Sequence, residues 1–292
     1  MYAQFFGNYL LNNNAVTPEQ LSAAIEKIGH THMKIGTLAM HKGYMTAAEV
    51  DEVCFLQTRE DKRFGEIALE RNYLFEDQLE DLLKSQNPDY LLLGQALVDA
   101  GALTNNELEA LIVEYQEESE IDDVVSIKSA DQTSQLIENF LVVAERPVDK
   151  DTITYLRLMF NALVRFIGDD FTPLSPVTVT EYEPNCFISQ KMTGPITCTS
   201  SIDMEPEVAI AFASRYAKME FTEFDEYVQA SLEDFLNLHN GLFTVNMSAN
   251  VSMELTLEPP VHVTDPVIEL DENTLIIPVI YTFGTIYIFL TL

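Results

Sequence analysis

The chain has 292 residues, 47% of them apolar, and a formal charge of −31 from 47 acidic against 16 basic side chains. That length and composition predict about two globular domains with ample core material. So negative a surface repels polyanions, which argues against nucleic acid and against acidic membrane as partners.

The opening segment "MYAQFFGNYLLNNN" has no basic stretch and no cleavage site, so it is not expected to be a signal peptide, and a cytoplasmic protein is the expectation. From here to residue 116 the sequence repeats. Gly7, Gly36, Gly65 and Gly94 are spaced 29 residues apart. Each is followed by a residue tolerant of positive φ (Asn14, Gly43, Asn72, Gly101), then by apolar Val16, Met45, Leu74 and Leu103. Thr17/Gln20, Thr46/Glu49 and Thr104/Glu107 have capping-box spacing, with Phe75/Gln78 in the third copy. Leu21, Val50, Leu79 and Leu108 come next, followed at helical spacing by Ile25, Cys54, Leu83 and Ile112. Each unit predicts a short helix, a left-handed turn, a cap and a second helix. Four such units must stack to bury their apolar faces.

The copies "KIGTLAMHKGYMTAAEVDEVCFLQ" (34–57) and "RFGEIALERNYLFEDQLEDLLKSQ" (63–86), with their five-residue spacer, resemble the tandem motifs of the N-terminal domain of type II secretion and type IV pilus assembly ATPases. Some members of that family bind cyclic di-GMP through the heading Arg and the backbone beside the Gly. The resemblance implies Lys34, Gly36, Arg63 and Gly65 as nucleotide-binding positions. Lys34 departs from the Arg, and a lysine lacks the planar fork that stacks on a guanine. Phe5 and Leu92 head the other copies. The alternative is a structural or protein-binding helical module. The phosphate-binding loop of the ATPase motor is absent from the sequence.

"GHTHM" holds His30 and His32 without a carboxylate at ligand spacing and reads as a loop, so no metal site is expected. Cys54, Cys186 and Cys198 are odd in number, scattered and without a CxxC pair. They suggest buried, reduced thiols and no disulfide framework. Residues 117–132 are rich in acid and read as a solvated linker between domains.

Beyond it the texture changes to an α+β pattern spanning 133–292. Helices are predicted over 152–171, from Pro206, and through "DEYVQASLEDFLNLHNG" (225–241). Strands are predicted at "VTVTEY", "CFISQKM", "PITCTSSI", "FTVNMS" and "VSMELTLE". "LIIPVIYTFGTIYIFLTL" is long enough to pass for a membrane span, but Pro278 and the Thr-Phe-Gly-Thr turn divide it into a buried hairpin. No membrane insertion is expected. An antiparallel sheet with helices packed on one face follows. The hairpin also offers an edge for a homodimer.

On the helix around 230, Phe224, Val228, Leu232, Phe235, His239 and Leu242 fall on one stripe, which should face the sheet. Tyr227, Ala230, Asp234, Asn237 and Gly241 fall on the opposite, solvent-facing stripe. Asp234, Asn237 and Gly241, with Pro260 downstream, resemble the helix signature of the CheC/CheX/FliY family of response-regulator phosphatases. The segments "PEVAIAFASRYAKM" and the terminal hairpin are also similar to that family's. The first helix, around Asn161, has no second copy of the signature, as in the single-site CheX type.

The resemblance implies a fold like that of CheX and a chemotaxis-type signalling function. It implies that the chain hydrolyses the aspartyl phosphate of a receiver domain, which brings its own Mg²⁺; no cofactor of its own is expected. Asn237 would orient the attacking water and Asp234 would pair with the receiver's lysine. Tyr227, Ala230, Glu233 and Gly241 would meet the partner, the small residues allowing close approach. The family has Glu where this chain has Asp234, one methylene shorter. Glu233, one position earlier, could replace it. The alternative is an adaptor that binds a receiver or cyclic di-GMP without hydrolysis.

Overall fold

The computed structural model describes residues 2–28, 31–84, 89–119, 130–143 and 149–292. The chain divides into two compact units, Met1–Ser126 and Ile127–Leu292.

The first unit contains helices α1 (Tyr2–Asn12), α2 (Pro18–Ile28), α3 (Ile35–His41), α4 (Ala47–Gln57), α5 (Phe64–Glu70), α6 (Glu76–Lys84), α7 (Asp89–Asp99) and α8 (Asn105–Ser119). They form four helix pairs. Within each pair the chain turns through a left-handed residue: Asn14 at φ 53°, Gly43 at 66°, Asn72 at 58° and Gly101 at 71°. The second helix of three pairs starts in a reciprocal cap, with Thr17, Thr46 and Thr104 amides donating to Gln20, Glu49 and Glu107. Those three residues' amides donate back to the threonine hydroxyls. Phe75 has no hydroxyl and keeps half the arrangement, its amide donating to Gln78 Oε1 at 3.0 Å.

The repeated glycines have a steric cause. A Cβ on Gly36 would lie 2.7 Å from Val50 Cγ1, one on Gly65 3.0 Å from Leu79 Cδ1, and one on Gly94 2.6 Å from Leu108 Cδ1. In these three repeats the helices cross where only hydrogen fits. The position shared by Ile25, Cys54, Leu83 and Ile112 divides in two. Ile25 and Ile112 are buried, whereas Leu83 is 66% exposed and Cys54 is exposed as well. The expectation that all three cysteines are buried is therefore corrected at Cys54, because the inner copies of this position face out of the stack. Cys186 and Cys198 are buried.

Of the acidic segment 117–132, residues 117–119 end α8, residues 130–132 begin α9, and 120–129 lie outside the described residues. His32 lies in an irregular stretch and His30 is outside the described residues. Among the described residues no helix is long and apolar enough to cross a membrane, and no cluster of three or more His, Cys, Asp or Glu could hold a metal.

The second unit is α+β. It opens with α9 (Ala130–Val143), buried through Leu136, Ile137, Phe140 and Leu141, where the sequence predicts no helix. Then follow α10 (Lys150–Phe166), β1 (Phe171–Pro173), β2 (Glu181–Tyr182), β3 (Ile188–Thr193), β4 (Thr197–Met204), α11 (Pro206–Ala217) and α12 (Glu226–Val251). Short strands β5 (Thr256–Leu257), β6 (Val261–His262) and β7 (Ile268–Glu269) lead to the hairpin β8 (Leu275–Tyr281) and β9 (Gly284–Thr291).

Among the described residues every strand pairing is antiparallel, and the main sheet has the order β1-β8-β9-β4-β3-β5, with β6 also on β3. Ile188, Gln190 and Met192 of β3 pair with Ile202, Ser200 and Cys198 of β4. All six point to the face that α10, α11 and α12 cover. The opposite face holds Phe187, Ile276 and Phe289 under Tyr182 and Ile268 of the β2–β7 ribbon. Pro278 sits inside β8 without harm. Its carbonyl faces β1, accepting from the Leu174 amide, so its missing N–H faces the side where β1 ends.

Three expectations are corrected here. "FTVNMS" (243–248) is helix, since Phe243 and Met247 extend the buried stripe of α12 while Val245 points to solvent; tertiary packing overrides β propensity. "VTVTEY" and "VSMELTLE" form strand only at Glu181–Tyr182 and Thr256–Leu257, apart from a bridge between Val177 and Ile276. The hairpin β8–β9 lies inside the sheet between β1 and β4, so it presents no open edge for a homodimer.

Candidate functional site

Helix α12 begins at Asp225, whose carboxylate accepts from the amides of Tyr227 and Val228 at 3.0 Å each. It runs for 26 residues, about 39 Å at the usual rise. Val228, Leu232, Phe235, Leu236, His239, Asn240, Phe243 and Met247 are its buried face. Leu242, assigned to that face from the sequence, is 48% exposed. Buried positions centre on the line through Leu232, His239 and Phe243, and Leu242 lies about 80° from it.

On the other side, Tyr227, Ala230, Asp234 and Asn237 are exposed and Gly241 half-buried. The helix thus brings together the five residues that sequence placed on the outer stripe. Tyr227 (64% exposed) and Val245 (67%) bracket the polar pair with apolar surface. The helix predicted over 225–241 does not stop at Gly241, for α12 continues to Val251. A Cβ added there would meet only Leu257 Cδ1, at 4.0 Å. Unlike the glycines of the repeats, it answers no packing demand among the described residues. A glycine inside a helix costs about 1 kcal/mol relative to alanine.

Each member of the pair is held by a neighbouring element. The Tyr216 hydroxyl of α11 donates to Asp234 Oδ2 at 2.6 Å. Burial, followed by this carboxylate, holds the Tyr216 phenol well above its ordinary range, so the tyrosine stays a donor. Asn237 Oδ1 accepts from Gln190 Nε2 of β3 at 2.8 Å. Glu233 is half-buried and engaged on its own helix, accepting from Gln229 Nε2 at 2.7 Å. Beneath the helix, His239 is fully buried and edge-on to Tyr155, with ring centroids 4.6 Å apart. Neither of its nitrogens has a partner among the described residues, and burial pushes its pKa down to about 3. Its place on the buried stripe was legible; Tyr216 and Gln190, on other elements, were not.

In the first unit, a cavity of about 310 Å³ is lined by Lys34, Gly36, Thr37, Cys54, Gln95 and Asn105, with an apolar floor including Val50, Phe64 and Val98. Lys34 Nζ is paired with Asp99 at 2.5 Å. Arg63 caps the start of α5 at the surface and Gly65 is buried against Leu79; neither lines the cavity. Of the four expected nucleotide-binding positions, Lys34 and Gly36 line this cavity.

No protein-family model matches the chain, and no curated protein matches it. Solved structures resemble its C-terminal half. A chemotaxis protein CheX from Desulfovibrio desulfuricans is 13% identical, covering 49% of this chain and 99% of its own at a TM-score of 0.43. A CheC-like superfamily protein from Shewanella sp. PV-4 is 18% identical over 49% and 97%, with a TM-score of 0.43. The CheX–CheY–BeF3–Mg complex from Borrelia burgdorferi gives 18% over 50% and 98%, with a TM-score of 0.42. At these values the likeness carries no residue-to-residue correspondence.

Proposed function

We propose that the C-terminal unit docks a phosphorylated receiver domain on the outer ridge of α12 and hydrolyses its aspartyl phosphate. The observation that carries this reading is the ridge itself: Asp234, Asn237 and Gly241 share one outer face, and the glycine makes no close packing contact among the described residues.

The chemistry asks little covalent work of the helper. Water oxygen bonds to phosphorus as the acyl phosphate P–O bond breaks, leaving the receiver's carboxylate and inorganic phosphate. A Mg²⁺ and a lysine, both belonging to the receiver, neutralise the charge, so positioning is what remains to be supplied. A carboxamide is no base, but it fixes a water by accepting and donating hydrogen bonds; this is the role of Asn237. Asp234 keeps Oδ1 for the receiver lysine while Tyr216 holds Oδ2. That charge-assisted contact sets the docking register.

The test is phosphate release from a CheY-type receiver phosphorylated by a small-molecule donor, with the full chain and with Asn237→Ala. Faster release with the full chain, lost in the variant, supports the reading; identical decay with both rejects it. A second reading, an adaptor that binds the receiver without hydrolysis, is favoured by the shorter acid already committed to Tyr216. Receiver binding without accelerated release selects it. For the first unit, cyclic di-GMP binding at Lys34 and Gly36 is the ligand reading, and calorimetric titration of the full chain with that nucleotide decides between it and a protein-binding module.

A further inference from the structure

Beneath the ridge a buried glutamine links Asn237 to the core. Gln190 lies on β3, 1% exposed, between Ile188 and Met192 on the helix-covered face of the sheet. A carboxamide there is destabilising unless its hydrogen bonds are met, and all three contacts are specific. Nε2 donates to Asn237 Oδ1 at 2.8 Å and to the Glu258 carbonyl at 2.8 Å. Oε1 accepts from Asn240 Nδ2 at 2.9 Å.

The Glu258 carbonyl can only accept, so the atom facing it is nitrogen. The Asn237 atom facing that same nitrogen must then be oxygen. Glu258 is itself fixed, its amide bonded to the Lys191 carbonyl at 2.9 Å and its backbone restricted by Pro259. The orientation of the exposed Asn237 carboxamide is thus decided by a hub in the core. One lone pair of Oδ1 is spent inward. The other lone pair and both Nδ2 hydrogens are left unspent, and Nδ2 has no protein partner among the described residues.

We propose that Gln190 is a positioning residue for Asn237, holding its carboxamide plane in the orientation that receives the attacking water. This rests on the phosphatase reading for its consequence, but not for its geometry. A side chain left to rotate would present the water in many poses, and misplacement by about an ångström is enough to lose most of the positioning benefit.

The experiment uses the full chain with Gln190→Met, close in volume but without donors, and Gln190→Glu, close in shape but unable to donate when ionised. The first readout is the order of the Asn237 side-chain amide by ¹⁵N relaxation. Wild type is expected to be rigid and Gln190→Met mobile. A wild-type Asn237 amide that is already mobile overturns the proposal without any variant, which covers the case that neither variant folds. The second readout is turnover of the phosphorylated CheY-type receiver. Both variants should lose about tenfold in kcat with KM within twofold of wild type. Combining Gln190→Met with Asn237→Ala should add nothing to the loss from Asn237→Ala alone. Full kcat in both variants, or a loss confined to KM, overturns the proposal. If Asn237→Ala itself retains the wild-type rate, the phosphatase reading fails, and the amide order still decides whether Gln190 positions Asn237.

Discussion

Gly241→Ala separates the demands of the fold from those of the partner. The nearest atom to the added methyl is Leu257 Cδ1 at 4.0 Å, an ordinary contact, so no overpacking penalty enters. Alanine is favoured over glycine in a helix interior by about 0.8–1.0 kcal/mol. The variant should therefore be more stable by close to that amount, a rise of roughly 2–4 °C in Tm for a domain of this size. On the proposed function the same methyl stands on the ridge where a receiver would close, and a displacement of about an ångström there should slow phosphate release at least tenfold. Urea unfolding followed by circular dichroism gives the first number and phosphate release from the phosphorylated receiver the second. A stabilised protein with undiminished release would refute the claim that this glycine serves a partner. A destabilised one would refute the packing assignment.

Gly94→Ala should behave oppositely. Its methyl would lie 2.6 Å from Leu108 Cδ1, and an overpacking penalty of about 1–3 kcal/mol outweighs the propensity gain, lowering the urea midpoint. His239, held at about 3 against an ordinary 6.5, makes the fold acid-sensitive. The unfolded chain takes up that proton first, so the stability is complete above 6.5, declines as pH falls below it, and levels off once pH passes through about 3. Between pH 7.5 and 5 this amounts to about 2 kcal/mol. His239→Leu should reduce the pH slope by that amount in urea titrations, and an unchanged slope would dismiss the assignment. Asp234→Ala should weaken binding of a beryllofluoride-activated receiver by about fivefold, measured calorimetrically, whereas Asp234→Glu should release phosphate at an equal or faster rate than wild type.

Periodic features could be read from the chain alone because periodicity is local physics. The left-handed residues at 14, 43, 72 and 101 and the threonine caps are decided within a few residues of themselves. The outer stripe of α12 likewise follows from the angle between successive residues. What escaped was decided by distant partners. Thr244 and Val245 favour a strand, yet the sheet gains more from Phe243 and Met247 continuing the helix. Leu83 and Cys54 occupy a repeat position that is core only in the outer copies. Tyr216 and Gln190 hold the two polar residues of the ridge, but they come from α11 and β3, and no spacing rule links them to Asp234 and Asn237.

The place of β9 in the sheet has a consequence for how the second unit is made. It follows every other strand in chain order, yet it stands between β8 and β4. Until residues 284–291 leave the ribosome, β1 with β8 and β3 with β4 are separate ribbons with unsatisfied backbone along their inner margins. The helices above them meanwhile have only a divided floor. Such long-range closure is slow and exposes sticky margins while it waits. A nascent chain arrested before residue 284 should therefore be a substrate for chaperones and proteases, and release of one short strand should convert it to a resistant domain.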